Sequence, residues 1–277
     1  SGESATSLCP NGTESQTGSG AGINCSTSIS DGCSHGTHVA GIAAGTGGSP
    51  GKGVAPGAEI IAIQVFSEID DVVSCWPGAT PCLLSYVSDQ ILGLERVYAL
   101  RFSHNIAAAN MSLGGGQYSS HCDSDPRKSI IDNLRSAGIA TVIASGNDGF
   151  DGSVAAPACI SSAIAVGATG NATNLVAGFS NHATLVDMMA PGSSIDSSVA
   201  SATDAYESWP GTSMAAPHVA GAFAVMKDYN SSWTVTNIEN ALERTGEDAT
   251  RSGVTVPRID IAAAASGILD DNYEQND

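Results

Sequence analysis

Four short apolar runs punctuate the chain: EIIAIQVF (59–66), NIAAANMSL (105–113), GIATVIASG (138–146) and SAIAVGATG (162–170). Each has the length of a strand, and the near-continuous apolar character predicts burial on both faces, as in a parallel sheet. Between the first two runs, Ile91, Leu94, Val97 and Tyr98 recur at helical spacing, with Glu95 and Arg96 outward, so 86–102 predicts a helix. Between the second and third, 125–138 predicts another, with Asp125 as N-cap, Pro126 in the first helical position and Gly138 as the stop. Strand, helix, strand, helix, strand is the rhythm of βαβ units. The expected fold is therefore α/β, with a mostly parallel central sheet and helices on both faces.

Two more helices are expected at 231–246 and 256–267, followed by a polar, frayed tail at 270–277. The other end is different in kind. Of the first 34 residues, 21 are Gly, Ser, Thr or Asn, and no period of 2 or 3.6 appears. That composition predicts a surface loop. No repeat and no interdomain linker interrupts the rest, so one domain over 1–277 is expected.

Composition narrows the partners. The chain of 277 residues carries 10 Lys and Arg against 28 Asp and Glu, a formal net charge of −18. Neutralising phosphates takes clustered Lys and Arg, so nucleic acid is excluded as the partner. The uncharged run 208–226 is broken by Pro210, Pro217 and His218 and reads as the approach to a buried helix, not a membrane span. The seven cysteines contain no CxxC pair and suit disulfides in an oxidising compartment. Cys75 with Cys82, which bracket a Pro/Gly loop, and Cys122 with Cys159 are the expected pairs. Cys9, Cys25 and Cys33 leave one unmatched. A Ser at position 1 and the lack of a signal peptide suggest a mature product or a fragment. Five N-x-[ST] sequons (Asn11, Asn24, Asn110, Asn171, Asn230) matter only in a eukaryotic secretory host.

Three stretches carry chemistry. In GTSMAAPHVAG (211–221) Ser213 falls in the first turn of a predicted helix, where free N–H groups and the dipole favour developing negative charge. The alternative is a plain N-cap at Thr212 or Ser213. In HGTHVAGIAAG (35–45) two imidazoles stand three apart, but no HExxH pattern and no third ligand accompanies them, so no metal site is expected. His35 is the candidate general base; His38 and His218 read as packed structural residues. ASGNDG (144–149) closes an apolar strand, where ligand sites of α/β sheets gather. Asn147 there can donate its amide to an oxyanion, or serve only as an Asn-Asp-Gly turn.

Together with GVAPGAEIIAIQVF, NMSLGGG and VPRIDIAAAA, these motifs resemble the subtilisin-like serine proteases, the subtilase family, in the family's order and over nearly the whole chain after the opening loop. The resemblance implies Ser213 as nucleophile, His35 as general base, and Asn147 with the Ser213 N–H as oxyanion hole. It implies a substrate-binding edge at Ser112, Leu113, Gly114 and Gly115, with Leu113 forming part of the wall of the pocket for the residue before the cut, and Gly146 as a further substrate-binding residue. It further implies a secreted, monomeric endopeptidase acting on protein or peptide substrates. No cofactor is required for the chemistry, and structural calcium, common in the family, has no assignable ligand set. One part is missing. The family's triad acid sits in a D-[ST]-G turn ending a core strand, and nothing before His35 matches; Asp31 is too close along the chain, and Glu3 is not on a strand. Two accounts stay open: a fragment whose upstream part supplies that strand, or an impaired relative that only binds peptides.

Overall fold

A computed structural model describes residues 5–48, 51–75, 80–202 and 204–271. Its centre is a six-stranded sheet in the order β12 (Glu247–Arg251), β13 (Val254–Arg258), β9 (Met188–Ser193), β8 (Ile164–Gly170), β6 (Ala140–Ala144), β4 (Ala108–Met111). All neighbours pair in parallel except the β12–β13 hairpin. The expected α/β architecture is therefore present, and the last three apolar runs supply β4, β6 and β8.

Alternation along the strands sorts two cores. Ala140, Val142 and Ala144 of β6 face α4 (Thr212–Tyr229), α5 (Val235–Thr245) and α6 (Ile261–Asp271), where Phe223 and Met226 are fully buried. Ile143 points to the opposite face, with Leu94 of α2 (Val87–Leu100) and Ile131 and Leu134 of α3 (Lys128–Ser136). Strand side chains alternate between faces, so one five-residue strand serves both layers.

Several expectations are corrected. The run 59–66 forms no strand, and Ile60 and Ile61 are 52% and 42% exposed. The cause is spatial: β4 is the sheet's edge and has β6 as its one partner. Helix α3 starts at Lys128 with Arg127 as N-cap; Asp125 instead accepts from the Arg127 N–H (2.9 Å) and pairs with its guanidinium, closing a turn ahead of the helix. Gly138, at φ +79°, does mark the stop. Helix α5 begins at Val235 behind a Thr234–Asn237 capping box. The expected helix 256–267 is split, because Val256–Arg258 belong to β13 and α6 starts at Ile261. Of the tail, 270 and 271 lie in α6 and the remainder falls outside the described residues.

The opening segment is mostly loop. Its β1 (Ala5–Ser7) pairs with β2 (Ser67–Ile69), which pairs with β3 (Cys82–Leu84) in a small antiparallel sheet. Disulfides join Cys75–Cys82 and Cys122–Cys159 as expected, and Cys25–Cys33, which leaves Cys9 free. Helix α1 (His35–Ala44) lies against α4. No helix among the described residues is long and apolar enough to cross a membrane.

Candidate active site

The N-terminus of α4 and the carboxyl ends of β4 and β6 meet at one place. Gly211, at φ 152°, caps α4, and its carbonyl accepts from the Met214 and Ala215 N–H groups. Thr212 donates twice to Asn147 Oδ1, from its backbone N–H (2.8 Å) and its hydroxyl (2.9 Å), while that hydroxyl accepts from the Gly146 N–H (3.2 Å). A backbone N–H can be met only by the amide oxygen, so these bonds fix which end of Asn147 is which. The Nδ2 end stays available. The Ser213 N–H, in the first helical turn, is likewise unspent among the described residues.

Gly146 has φ +107°, and a Cβ there would come within 2.3 Å of Asn181 Nδ2. Asn181 in turn accepts from the Asp148 and Phe150 N–H groups (3.0 and 3.1 Å) and donates to the Ser145 carbonyl (3.1 Å). It shapes the loop that presents Asn147. Sequence reading missed Asn181, since a lone Asn in a loop carries no periodic signal, and it offered Thr212 or Ser213 as a plain N-cap; the cap is Gly211, and Thr212 instead orients Asn147.

Ser112 ties β4 to the helix. Pro217 has no N–H to give the Ser213 carbonyl four residues before it. Ser112 Oγ donates to that carbonyl instead (2.8 Å), and accepts from Asn110 Nδ2 (2.9 Å). The Ser213 hydroxyl donates to the Ser112 carbonyl (3.4 Å), and no hydrogen bond joins it to His35. Leu113 and Gly114 lead into β5 (Gly115–Tyr118), which pairs antiparallel with β7 (Val154–Ala156), Gly115 opposite Ala156. A Cβ on Gly114 would lie 3.1 Å from the Ala156 carbonyl, so the strand behind already demands a small residue there. Gly115 is exposed and faces open space.

His35 opens α1, half-buried, its ring 6.5 Å from that of Trp209 in β11 (Tyr206–Trp209), which pairs with β10 (Ile195–Ser198). His38 is fully buried and stacks flat on Trp209 at 4.6 Å, with Nε2 3.0 Å from the Glu207 carbonyl; it is scaffold, as expected. Trp209 is a further residue that spacing did not reveal. Burial first, and then the neighbouring His38, hold the His35 pKa below the ordinary imidazole value. No carboxylate among the described residues acts on that ring. Glu3 and the Asp31 side chain lie outside what is described. His218 donates from Nδ1 to the Met214 carbonyl (2.8 Å), and burial lowers its pKa to about 4.

One group of three carboxylates, Asp187, Glu239 and Glu243, stands together among the described residues. Calcium asks for six to eight oxygens. Here the Arg135 guanidinium already pairs with Glu239, and Asp187 Oδ2 accepts from the Ala165 N–H (2.7 Å). These residues fit an arginine-bridged acidic cluster and not a calcium site.

Comparison with known proteins agrees with this geometry. The Subtilase family (Peptidase_S8) matches residues 23–259. Subtilisin E of Bacillus subtilis (strain 168) is 39% identical over 219 residues, 78% of this chain and 51% of that protein. Subtilisin Savinase of Lederbergia lenta is 39% identical over 219 residues, covering 79% and 72%. The crystal structure of a cold adapted subtilisin-like serine proteinase superposes with a TM-score of 0.64 at 29% identity, covering 81% of this chain and 73% of that one. The chain spans about half the length of the first of these relatives. Motif order, sheet topology and these matches lead to one statement: the chain belongs to the subtilase family of serine proteases.

Proposed function

We propose that this chain carries the nucleophile, base and oxyanion donors of a secreted serine endopeptidase that acts, as a monomer, on protein and peptide substrates. The observation that carries the reading is the Asn147–Thr212 pair, which leaves the Asn147 amide N–H group unspent, while the Ser213 N and Asn147 Nδ2 lie 3.6 and 3.7 Å from one point, where a Cβ on Gly211 would sit. Two such donors match what a tetrahedral oxyanion requires. An extended substrate would lie along 112–115, with Leu113 forming part of the wall of the pocket for the residue before the cut, and Gly146 as a further substrate-binding residue. The Ser213 hydroxyl turns from the Ser112 carbonyl towards His35, which accepts its proton as Oγ attacks the scissile carbonyl. His35 then gives the proton to the leaving amine, and water, deprotonated by the same ring, opens the ester. No step uses a metal. Three disulfides support an oxidising, extracellular setting.

A second reading, peptide binding without turnover, draws on the Ser213 hydroxyl resting on Ser112 and on the lack of a carboxylate acting on His35. Intact mass after treatment with a serine-directed sulfonyl fluoride separates the two. One adduct that vanishes in Ser213→Ala, and forms about 10²–10³-fold more slowly in Asn147→Leu (the range measured for an oxyanion donor in a subtilisin), supports the enzyme. Folded protein that takes up no adduct supports the binding domain.

A further inference from the structure

Arg251, the last residue of β12, turns its guanidinium onto two loops: the one that carries Asn147 and the one that supports it. Nε donates to Asp151 Oδ1 (2.7 Å), Nη1 to the Ala177 carbonyl (3.0 Å), and Nη2 to the Phe150 and Ser180 carbonyls (3.2 and 2.6 Å). Ser252 donates to the other oxygen of Asp151 (2.8 Å). The supporting loop is polar and buried: Ser180 and Asn181 are 0% exposed, and His182 is 1% exposed. His182 donates from Nε2 to the Val254 carbonyl (3.1 Å), so both strands of the β12–β13 hairpin grip this loop. The loop in its turn holds 146–150. The Asn181 N–H donates to the Gly146 carbonyl (2.9 Å), the Gly149 N–H to the Phe179 carbonyl (2.8 Å) and the His182 N–H to the Phe150 carbonyl (2.9 Å). Asn147 lies inside that span.

From this network we infer that Arg251 is a positioning residue for the oxyanion site: it locks 146–152 to 177–182 and so sets where the Asn147 amide stands relative to Ser213. Asn181 grips the near end of the segment, at Gly146, Asp148 and Phe150. Arg251 grips the far end, at Phe150 and Asp151, and also holds the loop of Asn181 itself, at Ala177 and Ser180. Its release loosens both supports at once. Hydrogen bonds from a charged donor are about twice as strong as neutral ones, and a buried carbonyl left without its donor is costly. A planar fork is required. Arg presents five donors in one plane, whereas the three of Lys radiate from a single nitrogen and cannot serve three carbonyls and a carboxylate together. What the clamp supplies is preorganisation, since a catalytic donor has to be held to about 0.5 Å. That the atom so held is an oxyanion donor rests on the protease reading; the clamp itself does not.

Sulfonyl labelling of Ser213 in Arg251→Gln and Arg251→Lys, alone and combined with Asn147→Leu, tests it. A displacement of about 1 Å can cost about 10²-fold, so both single variants are expected to label about ten- to a hundredfold more slowly at saturating reagent, with the half-saturating concentration unchanged. Beside Asn147→Leu the same changes should slow labelling by less than about twofold, because residues that act through one group are not additive. Hydrogen exchange at the Asp148 and Phe150 N–H groups should be faster in Arg251→Gln under conditions where it is folded. Labelling at the parent rate in Arg251→Gln overturns the proposal. Equal slowing with and without Asn147 also overturns it, and makes Arg251 a support of the fold at large. Parent-like labelling in Arg251→Lys, against slowing in Arg251→Gln, would make charge alone sufficient and overturn the fork. If Arg251→Gln does not fold, Asp151→Ala takes its place: that carboxylate is 51% exposed and its loss releases Nε alone. A smaller slowing that vanishes beside Asn147→Leu is then expected, and no slowing overturns the clamp. A folded parent that takes no label sinks the protease reading. Exchange at Asp148 and Phe150 then decides the clamp by itself, faster in Arg251→Gln if it stands and unchanged if it does not.

Discussion

Pro217 and Thr212 define the site more tightly than their chemistry suggests. Pro217 frees the Ser213 carbonyl from the helix, and Ser112 takes it up, so the segment 112–115 that follows β4 is locked to the residue proposed as nucleophile. Thr212, fully buried, orients Asn147 through the same atom that holds the Gly146 N–H. Thr212→Val keeps the shape and deletes that atom. The Gly146 N–H and one lone pair of Asn147 lose their partner, which costs about 1–3 kcal/mol. The expected result is a lowered melting temperature with native far-UV circular dichroism, and Ser213 labelling slowed at least tenfold. Labelling at the parent rate would mean that the backbone bond from Thr212 alone orients Asn147.

Helices α1 and α4 carry His35 and Ser213, and glycine sets their separation. A Cβ on Gly221 would lie 2.7 Å from Val54 Cβ and 3.1 Å from the Ala43 carbonyl. Replacing a mid-helix glycine by alanine gains about 1 kcal/mol of helix propensity, whereas forcing a methyl into a packed contact costs about 1–3 kcal/mol. The second effect should win. Gly221→Ala is expected to unfold at lower denaturant and to react more slowly at Ser213, because the strain is relieved by moving α1 away. A stabilised variant with unchanged labelling would show that Val54 yields instead. The helical periodicity of 86–102 was legible because Leu94, Val97 and Tyr98 of α2 turn one apolar face into the core it shares with α3. The strand character of 256–258 was not, because pairing with β12 and β9 decides it.

At the scale of the molecule, Asp187 joins β8, α3 and α5 around one carboxyl group. It meets the Ala165 N–H, with Glu239 and Glu243 on one side and Arg135 opposing them. Burial is the largest cause that raises its pKa from 3.8 to about 7. The folded chain therefore holds a proton that the unfolded chain releases near pH 4, so this group's contribution is fully present below pH 4 and is lost as pH rises towards 7. Its size is at most about 4 kcal/mol. Asp187→Asn should match the parent near pH 4 and melt higher at pH 8. His218 gives the opposite slope between about pH 4 and 6.5 in both proteins, so only the difference between them is diagnostic. A constant offset across pH would assign the effect to packing.

The chain's own residues determined the fold class, the order of its motifs and the identity of Ser213, His35 and Asn147 as candidates, because each depends on local spacing: apolar runs of strand length, a helix start, a glycine-flanked turn. Disulfides between near neighbours, Cys75 and Cys82, were legible for the same reason, whereas Cys25–Cys33 waited on which of three loop cysteines the chain brings together. Tertiary structure decided the rest. Run 59–66 has the composition of a buried strand, yet a strand exists only through hydrogen bonds to a neighbour, and the position beside β4 is open. The orientation of Asn147, the tie between Ser112 and the Ser213 carbonyl, and the stack of Trp209 on His38 join residues 65, 101 and more than 160 positions apart. No local pattern encodes such contacts; they arise when packing brings the segments together and leaves each buried polar group one partner to find.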